Sequence, residues 1–162
     1  PRRRRRSAAS PSAQTARLWK IRESLVEAQV AAGGTIAHDV SVPVSRIAEF
    51  IGRADAALRL AYPGIRPCTF GHVGDGNIHY NPVRPQHWDA ARYRQERGNI
   101  NRIVHDIIAD LGGSISAEHG IGRLKAHRMP EIKSPVELAM MRDLKKMFDP
   151  NNILSPGRVL PG

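Results

Sequence analysis

The chain has 162 residues, 41% of them hydrophobic; that is enough for one domain with its own core and excludes a wholly disordered chain. Its single cysteine, Cys68, excludes an internal disulfide and a Cys-rich zinc module and fits a reducing, cytoplasmic compartment; no apolar run reaches transmembrane length. Net charge is +10, but five of those charges are the run Arg2–Arg6 directly after Pro1, and setting them aside leaves a modest +5, so no nucleic-acid role is expected for the body of the chain.

Residues 1–14 read as a disordered basic tail and residues 15–162 as one domain. "TARLWKIRESLVEAQVAAGG" (15–34) predicts a helix whose inward stripe is Leu18, Ile21, Leu25 and Ala28, stopped by Gly33-Gly34. "TIAHDVSV" alternates as a strand, with Ile36, His38, Val40 and Val42 on one face. Pro43 suits the first turn of a second helix, which turns Ile47, Phe50, Ile51 and Leu58 inward. "IRPCTFGHV" and "NIHYNPV" read as two strands of a hairpin. A long amphipathic helix starts at Asp89, and Tyr93, Ile100, Ile103, Val104, Ile107, Ile108 and Leu111 form its stripe. "SISA" (114–117) reads as a short strand and "EHGIGRLKAHRMP" as irregular or partly helical. Ser134, Pro135 and Glu137 predict a capped final helix with Leu138, Met141, Leu144 and Phe148 inward, followed by an extended C-terminal segment. This order predicts an α+β fold, an antiparallel sheet with helices packed on one face.

The stretch "GHVGDGNIHY" (71–80) carries two histidines seven apart around Asp75-Gly76. A tight turn on Asp-Gly, or a four-residue loop over 74–77, sets His72 directly opposite His79, with Cβ atoms about 4.5–5.5 Å apart. Asn81, two residues on, shares their face. Two converging imidazoles suit a metal, and a catalytic zinc uses three protein ligands and one open position. The best third ligand is Glu118, in "SAEHGIG", beside His119. On spacing alone, an ordinary half-exposed pair of histidines fits as well. "GDGN" lacks the spacing and the strand–turn–helix setting of a dinucleotide loop.

Taken together, "GHVGDGNIHYN", "SAEHGIGRLK" and "FDPNNILSPGRVLP", with "DVSVPVSRI" at 39–47, resemble the C-terminal domain of the FAD-linked oxidases. That family includes D-lactate dehydrogenases, the glycolate oxidase D subunit and D-2-hydroxyglutarate dehydrogenase. The resemblance runs from about residue 17 to the end. It implies a ferredoxin-like domain that caps a flavin and oxidises a small D-2-hydroxy acid to the 2-oxo acid. It implies a divalent ion, zinc or manganese, on His72, His79 and Glu118, with His119 as catalytic base. It places Arg22, Asn81 and Lys125 at the substrate and Asn152 and Ser155 at the flavin. An exposed helix arginine and a solvated lysine remain the alternatives for Arg22 and Lys125.

The resemblance also implies departures. Val26 and Ala37 stand where the hydroxyglutarate members have a threonine and a lysine near the distal carboxylate, which favours a monocarboxylate such as lactate. Ser155-Pro156-Gly157 replaces an Asn-Pro-Gly, which weakens a flavin contact. The FAD-binding domain that precedes this one in the family is absent from the 162 residues, so the chain alone is expected to fold and hold metal but to be inactive. Its partner is then the missing FAD-binding domain or subunit, and an uncovered docking face promotes homo-oligomers. The competing readings are a non-catalytic metal-binding remnant or interaction module, and an anion binder through the arginine tail, which lacks stacking aromatics.

Overall fold

Antiparallel strand pairing organises residues 13–161, the part of the chain that the computed structural model describes. β1 (His38–Ser41), β2 (Arg66–His72) and β3 (Asn77–Val83) form a sheet in the order β1-β3-β2, so β3 is central and pairs antiparallel on both sides. The helices are α1 (Ala13–Glu23), α2 (Leu25–Ala31), α3 (Ile47–Ala61), α4 (Ala90–Gln95), α5 (Arg97–Asp110), α6 (Gly122–Lys125), α7 (Met129–Ile132) and α8 (Pro135–Phe148). The class is α+β, as the element order predicts. The tail expected over 1–14 lies outside the described residues, except for Ala13 and Gln14, which open α1. No described helix is long and apolar enough to cross a membrane.

The pleat gives the sheet two chemically different faces. Val40, Ile78 and Tyr80 are buried against Phe50 and Leu58 of α3 and Ile100, Val104 and Ile108 of α5. The Tyr80 hydroxyl donates to Asp55 Oδ1 at 2.9 Å, and the Phe50 ring meets the Tyr80 ring edge-on with centroids 5.4 Å apart. The opposite face carries polar residues, because Asp39, His79 and Phe70 lie in one register row and Ser41, Asn77 and His72 in the next.

Several expected elements are interrupted. The first helix breaks at Ser24, whose hydroxyl donates to Ile21 O at 3.0 Å. The long helix from Asp89 breaks at Glu96 into α4 and α5, and the Asp89 carboxylate caps α4 by accepting from Arg92 N. The strand expected at 114–117 is reduced to a single bridge, Ser41 with Ser114. The final helix has the full capping box between Ser134 and Glu137. The segment after α8 is a series of turns rather than extended, with its Val159 N–H donating back to Gly122 O.

Two expected inward stripes face outward. Leu18, Ile21 and Ala28 are exposed and α1 buries no residue, while the buried position of α2 is the polar Gln29. On α8, Leu138 is buried, but Leu144 and Phe148 are exposed.

The hairpin turn also differs from expectation. Residues 73–76 form a four-residue connection, and His72 pairs with Asn77 while Phe70 pairs with His79. The tight Asp-Gly turn needs positive φ at both residues, yet of the two only Gly76 has it, at +80°. Asp75 instead accepts the Asn77 N–H on its carboxylate at 3.1 Å. A Cβ at Gly76 would lie 2.1 Å from the backbone oxygen of Val42. Gly76→Ala is therefore expected to destabilise the fold by about 2–3 kcal/mol, from left-handed strain plus the clash, read as a lowered urea midpoint.

Candidate metal and substrate site

The two-residue change in register keeps both histidines on one face, because side-chain direction has period two. His72 and His79 become diagonal rather than direct neighbours, with ring centroids 6.0 Å apart and planes crossing at 78°. His72 is exposed and His79 half-buried.

The loop after the bridge at Ser114 brings two more side chains to the same face. His79 Nε2 lies 3.1 Å from Glu118 Oε1, and Asn77 Nδ2 donates to that oxygen at 3.0 Å. The His119 ring stacks on His79 with centroids 5.6 Å apart and planes within 17°. Asp39, His79, Glu118 and His119 offer ligand atoms that all lie within 4.8 Å of one another. His72 is not part of that set and sits beside it, facing a small depression it shares with Asn77 and Glu118. Burial lowers the pKa of His79 despite the nearby Glu118 and Asp39 carboxylates, which favours the neutral imidazole that a cation requires. Two imidazoles and two carboxylates form a donor set that suits a borderline divalent ion such as zinc.

Asp39 is absent from the sequence-derived set. Its signal is the strand alternation, which puts Ile36, His38, Val40 and Val42 on the core side and so places Asp39 on the other. Its side chain is buried, and Oδ2 accepts the backbone N–H groups of Ala117, Glu118 and His119 at 3.1, 3.0 and 2.8 Å. Burial raises its pKa, but these hydrogen bonds together with the nearby His119 ring outweigh that and the net shift is downward.

A cavity of about 690 Å³ opens beside the cluster, lined by Asp39, His79 and His119 together with Arg22, Asn81 and Lys125. The three residues expected at the substrate are thus brought to one cavity with the cluster. Arg22, half-buried, places its guanidinium carbon 4.4 Å above the Phe70 ring centroid. Asn81 is buried and its amide is engaged, with Oδ1 accepting from His38 N at 3.2 Å and Nδ2 donating to Gln29 Oε1 at 3.0 Å. Lys125 donates to Ile115 O at 2.7 Å, and burial lowers its pKa. Val26, Val30, Ala37, Ile121 and Leu124 supply the apolar part of the lining.

Asn152 and Ser155 are not brought to this cluster. They line a second cavity, of about 790 Å³, between α8 and the C-terminal segment, and both adopt positive φ, 51° and 50°. Arg158 lines both cavities.

Comparison with known proteins gives a consistent set of likenesses. The model of the family described as FAD linked oxidases, C-terminal domain, matches residues 4–159. A D-2-hydroxyglutarate dehydrogenase of Stutzerimonas stutzeri is 36% identical over 152 residues, covering 90% of this chain and 31% of that protein. The mitochondrial D-2-hydroxyglutarate dehydrogenase of Arabidopsis thaliana is 38% identical over 154 residues, covering 91% of this chain and 25% of that protein. A D-lactate dehydrogenase of Archaeoglobus fulgidus is 38% identical over 122 residues, covering 75% and 26%. The chain spans less than a third of the length of these curated relatives.

Proposed function

Because the chain belongs to the C-terminal domain family of the FAD-linked oxidases, we propose that it is the substrate- and metal-binding part of a flavin-dependent dehydrogenase that converts a D-2-hydroxy acid into the 2-oxo acid. The observation that carries this reading is the meeting of His79 and His119 with Arg22 at one cavity, with Glu118 Oε1 3.1 Å from His79 Nε2 beside it. In the proposal His79 and Glu118 hold a divalent ion, zinc or manganese, with His72 as the third ligand. When bound, the ion supplies Lewis-acid polarisation of the substrate hydroxyl.

The reaction removes a proton from the hydroxyl and a hydride from the α-carbon. His119 receives the proton on its imidazole, and its open side chain leaves it accessible to substrate. Arg22 pairs with the carboxylate, its guanidinium steadied on the Phe70 ring. Asn81 and Lys125 shape the cavity wall. FAD, when bound, supplies the hydride acceptor. In this reading a flavin-binding part outside these residues contributes most of the FAD contacts, with Asn152 and Ser155 adding to them. The exposed apolar faces of α1 and α8 support such a docked part. The cytoplasmic location expected from the single cysteine is part of the same proposal; the plant and rat relatives are named mitochondrial.

The substrate proposed is a monocarboxylate. The apolar Val26 and Ala37 in the cavity wall support this, since neither offers a distal carboxylate a partner; Arg123, Lys125 and Arg158 on the same wall make D-2-hydroxyglutarate the competitor to test. Titration calorimetry tests the reading. The zinc-loaded chain is expected to bind D-lactate at least as tightly as D-2-hydroxyglutarate, and Arg22→Leu to weaken D-lactate by about 10–100-fold, the value of a charged hydrogen-bonded pair. Equal binding by wild type and Arg22→Leu removes Arg22 from the site. Binding of D-2-hydroxyglutarate alone removes the monocarboxylate assignment.

A further inference from the structure

We infer that Asp39 is the positioning residue of the site: its carboxylate anchors the 117–119 backbone to β1 and so fixes Glu118 and His119 against His79. This inference rests on the metal reading above and adds a residue to it.

The geometry is specific. Asp39 lies directly across the β1–β3 ladder from His79, so its backbone place is set by the sheet. One oxygen, Oδ2, gathers three consecutive loop N–H groups, and the Asp39 carbonyl accepts the Ala117 N–H as well, at 3.3 Å. Three consecutive amides converging on one oxygen fix the course of the backbone through these residues. Glu118 and His119 sit on this run and have no helix or strand of their own to hold them. Their side chains are about half and two-thirds exposed, so burial does not hold them either.

The other carboxylate oxygen, Oδ1, is buried with no hydrogen-bond partner among the described residues and lies 3.9 Å from His79 Nδ1. The charge therefore faces the imidazole pair from within the sheet. Hydrogen bonds donated to an ionised acceptor are roughly twice as strong as neutral ones. Asparagine at 39 keeps one accepting oxygen without the charge, and alanine keeps neither.

The test uses the whole chain, with Zn²⁺ and Co²⁺ as probes, in wild type, Asp39→Asn, Asp39→Ala and Asp149→Ala. Asp149 is the internal control. It is also buried and accepts two loop N–H groups, from Ile153 and Leu154 at 2.9 Å each, but it stands outside the cluster. Asp39→Ala is expected to lose about 10–100-fold in Zn²⁺ affinity, the range for residues that orient metal ligands, and to change the visible spectrum of the Co²⁺ complex. Asp39→Asn is expected to recover most of that affinity. Asp149→Ala is expected to lower the melting temperature while leaving Zn²⁺ affinity and the Co²⁺ spectrum unchanged. In the metal-free chain, hydrogen exchange at Ala117, Glu118 and His119 is expected to accelerate at least about tenfold in Asp39→Ala and not in Asp149→Ala.

Unchanged exchange at 117–119 in Asp39→Ala overturns the inference. So does a complete loss of Zn²⁺ binding in Asp39→Asn with exchange intact, which makes Asp39 a direct ligand. If wild type itself binds no Zn²⁺, the metal reading falls and the exchange measurement alone decides the role of Asp39.

Discussion

Glu118→Gln is expected to lower the Zn²⁺ affinity of the chain by about 100-fold or more, at or beyond the upper end of what losing an outer-shell partner costs. The substitution keeps shape and hydrogen-bonding reach but removes the negative charge. That charge sits 3.1 Å from His79 Nε2 and is aligned by the Asn77 amide. A neutral carboxamide oxygen is a poor zinc donor beside imidazole, whereas a carboxylate is a regular one. The side chain is about half exposed, so the loss should come with less than about 0.5 kcal/mol of change in folding stability. A competition titration against a chromophoric chelator, paired with a urea melt, separates the two effects. His79→Ala should match it in affinity, and His72→Ala tests whether the exposed ring joins the set. A Glu118→Gln chain that holds Zn²⁺ within about threefold of wild type would remove the carboxylate from the coordination sphere.

Local signals in the sequence identify the strands and the capped helix because their causes are local. Alternation at Ile36, His38, Val40 and Val42 follows from the pleat, and all four are buried. The hairpin and the Ser134–Glu137 box follow from turn and cap chemistry. The register did not follow, because a four-residue connection suits the sequence over 73–76 as well as over 74–77, and the two differ by a two-residue shift in pairing. His79 and Glu118 are 39 positions apart in the chain, and motif resemblance supplied their meeting where spacing could not. The outward stripes of α1 and α8 have another origin. Periodicity reveals that a helix has an apolar side, but not which element covers it. The role of Asp39 is not legible in the sequence because its partners are backbone N–H groups of a distant loop, which leave no residue-type signature.

Acidification should unfold this protein through a second pair of histidines, on the core face of the sheet. His38 and His105 are both buried, with ring centroids 5.7 Å apart and planes at 86°. His38 Nδ1 is 2.9 Å from Tyr80 O, while among the described residues no ordinary hydrogen bond reaches His38 Nε2 or His105 Nδ1. Desolvation lowers the pKa of His38 to about 4 and that of His105 to about 3, and the positive charges of Lys125 and Arg128 press the same way on His105.

Above about pH 6.5, the ordinary histidine value, both rings are neutral in the folded and unfolded chains, and pH exerts no pull through them. As pH falls below 6.5 the unfolded chain takes up protons that the folded chain refuses, so stability drops. Each ring contributes a slope of up to about 1.4 kcal/mol per pH unit. His38 stops contributing near pH 4 and His105 near pH 3. The summed loss is several kcal/mol, a large part of the roughly 5–15 kcal/mol that holds a domain together. Carboxylates stabilised in the fold, such as Asp39 and Asp149, lose their contribution only at lower pH, through the ordinary carboxylate range and below. The window from pH 6.5 to 4.5 therefore belongs mainly to histidines. His79, also lowered by burial, adds to the slope there. Urea melts of the metal-free chain across that window should show the decline, and His105→Leu should remove close to half of the slope that the buried pair contributes. A His105→Leu chain with the same slope as wild type would place the acid sensitivity elsewhere and leave the buried pair without a role in it.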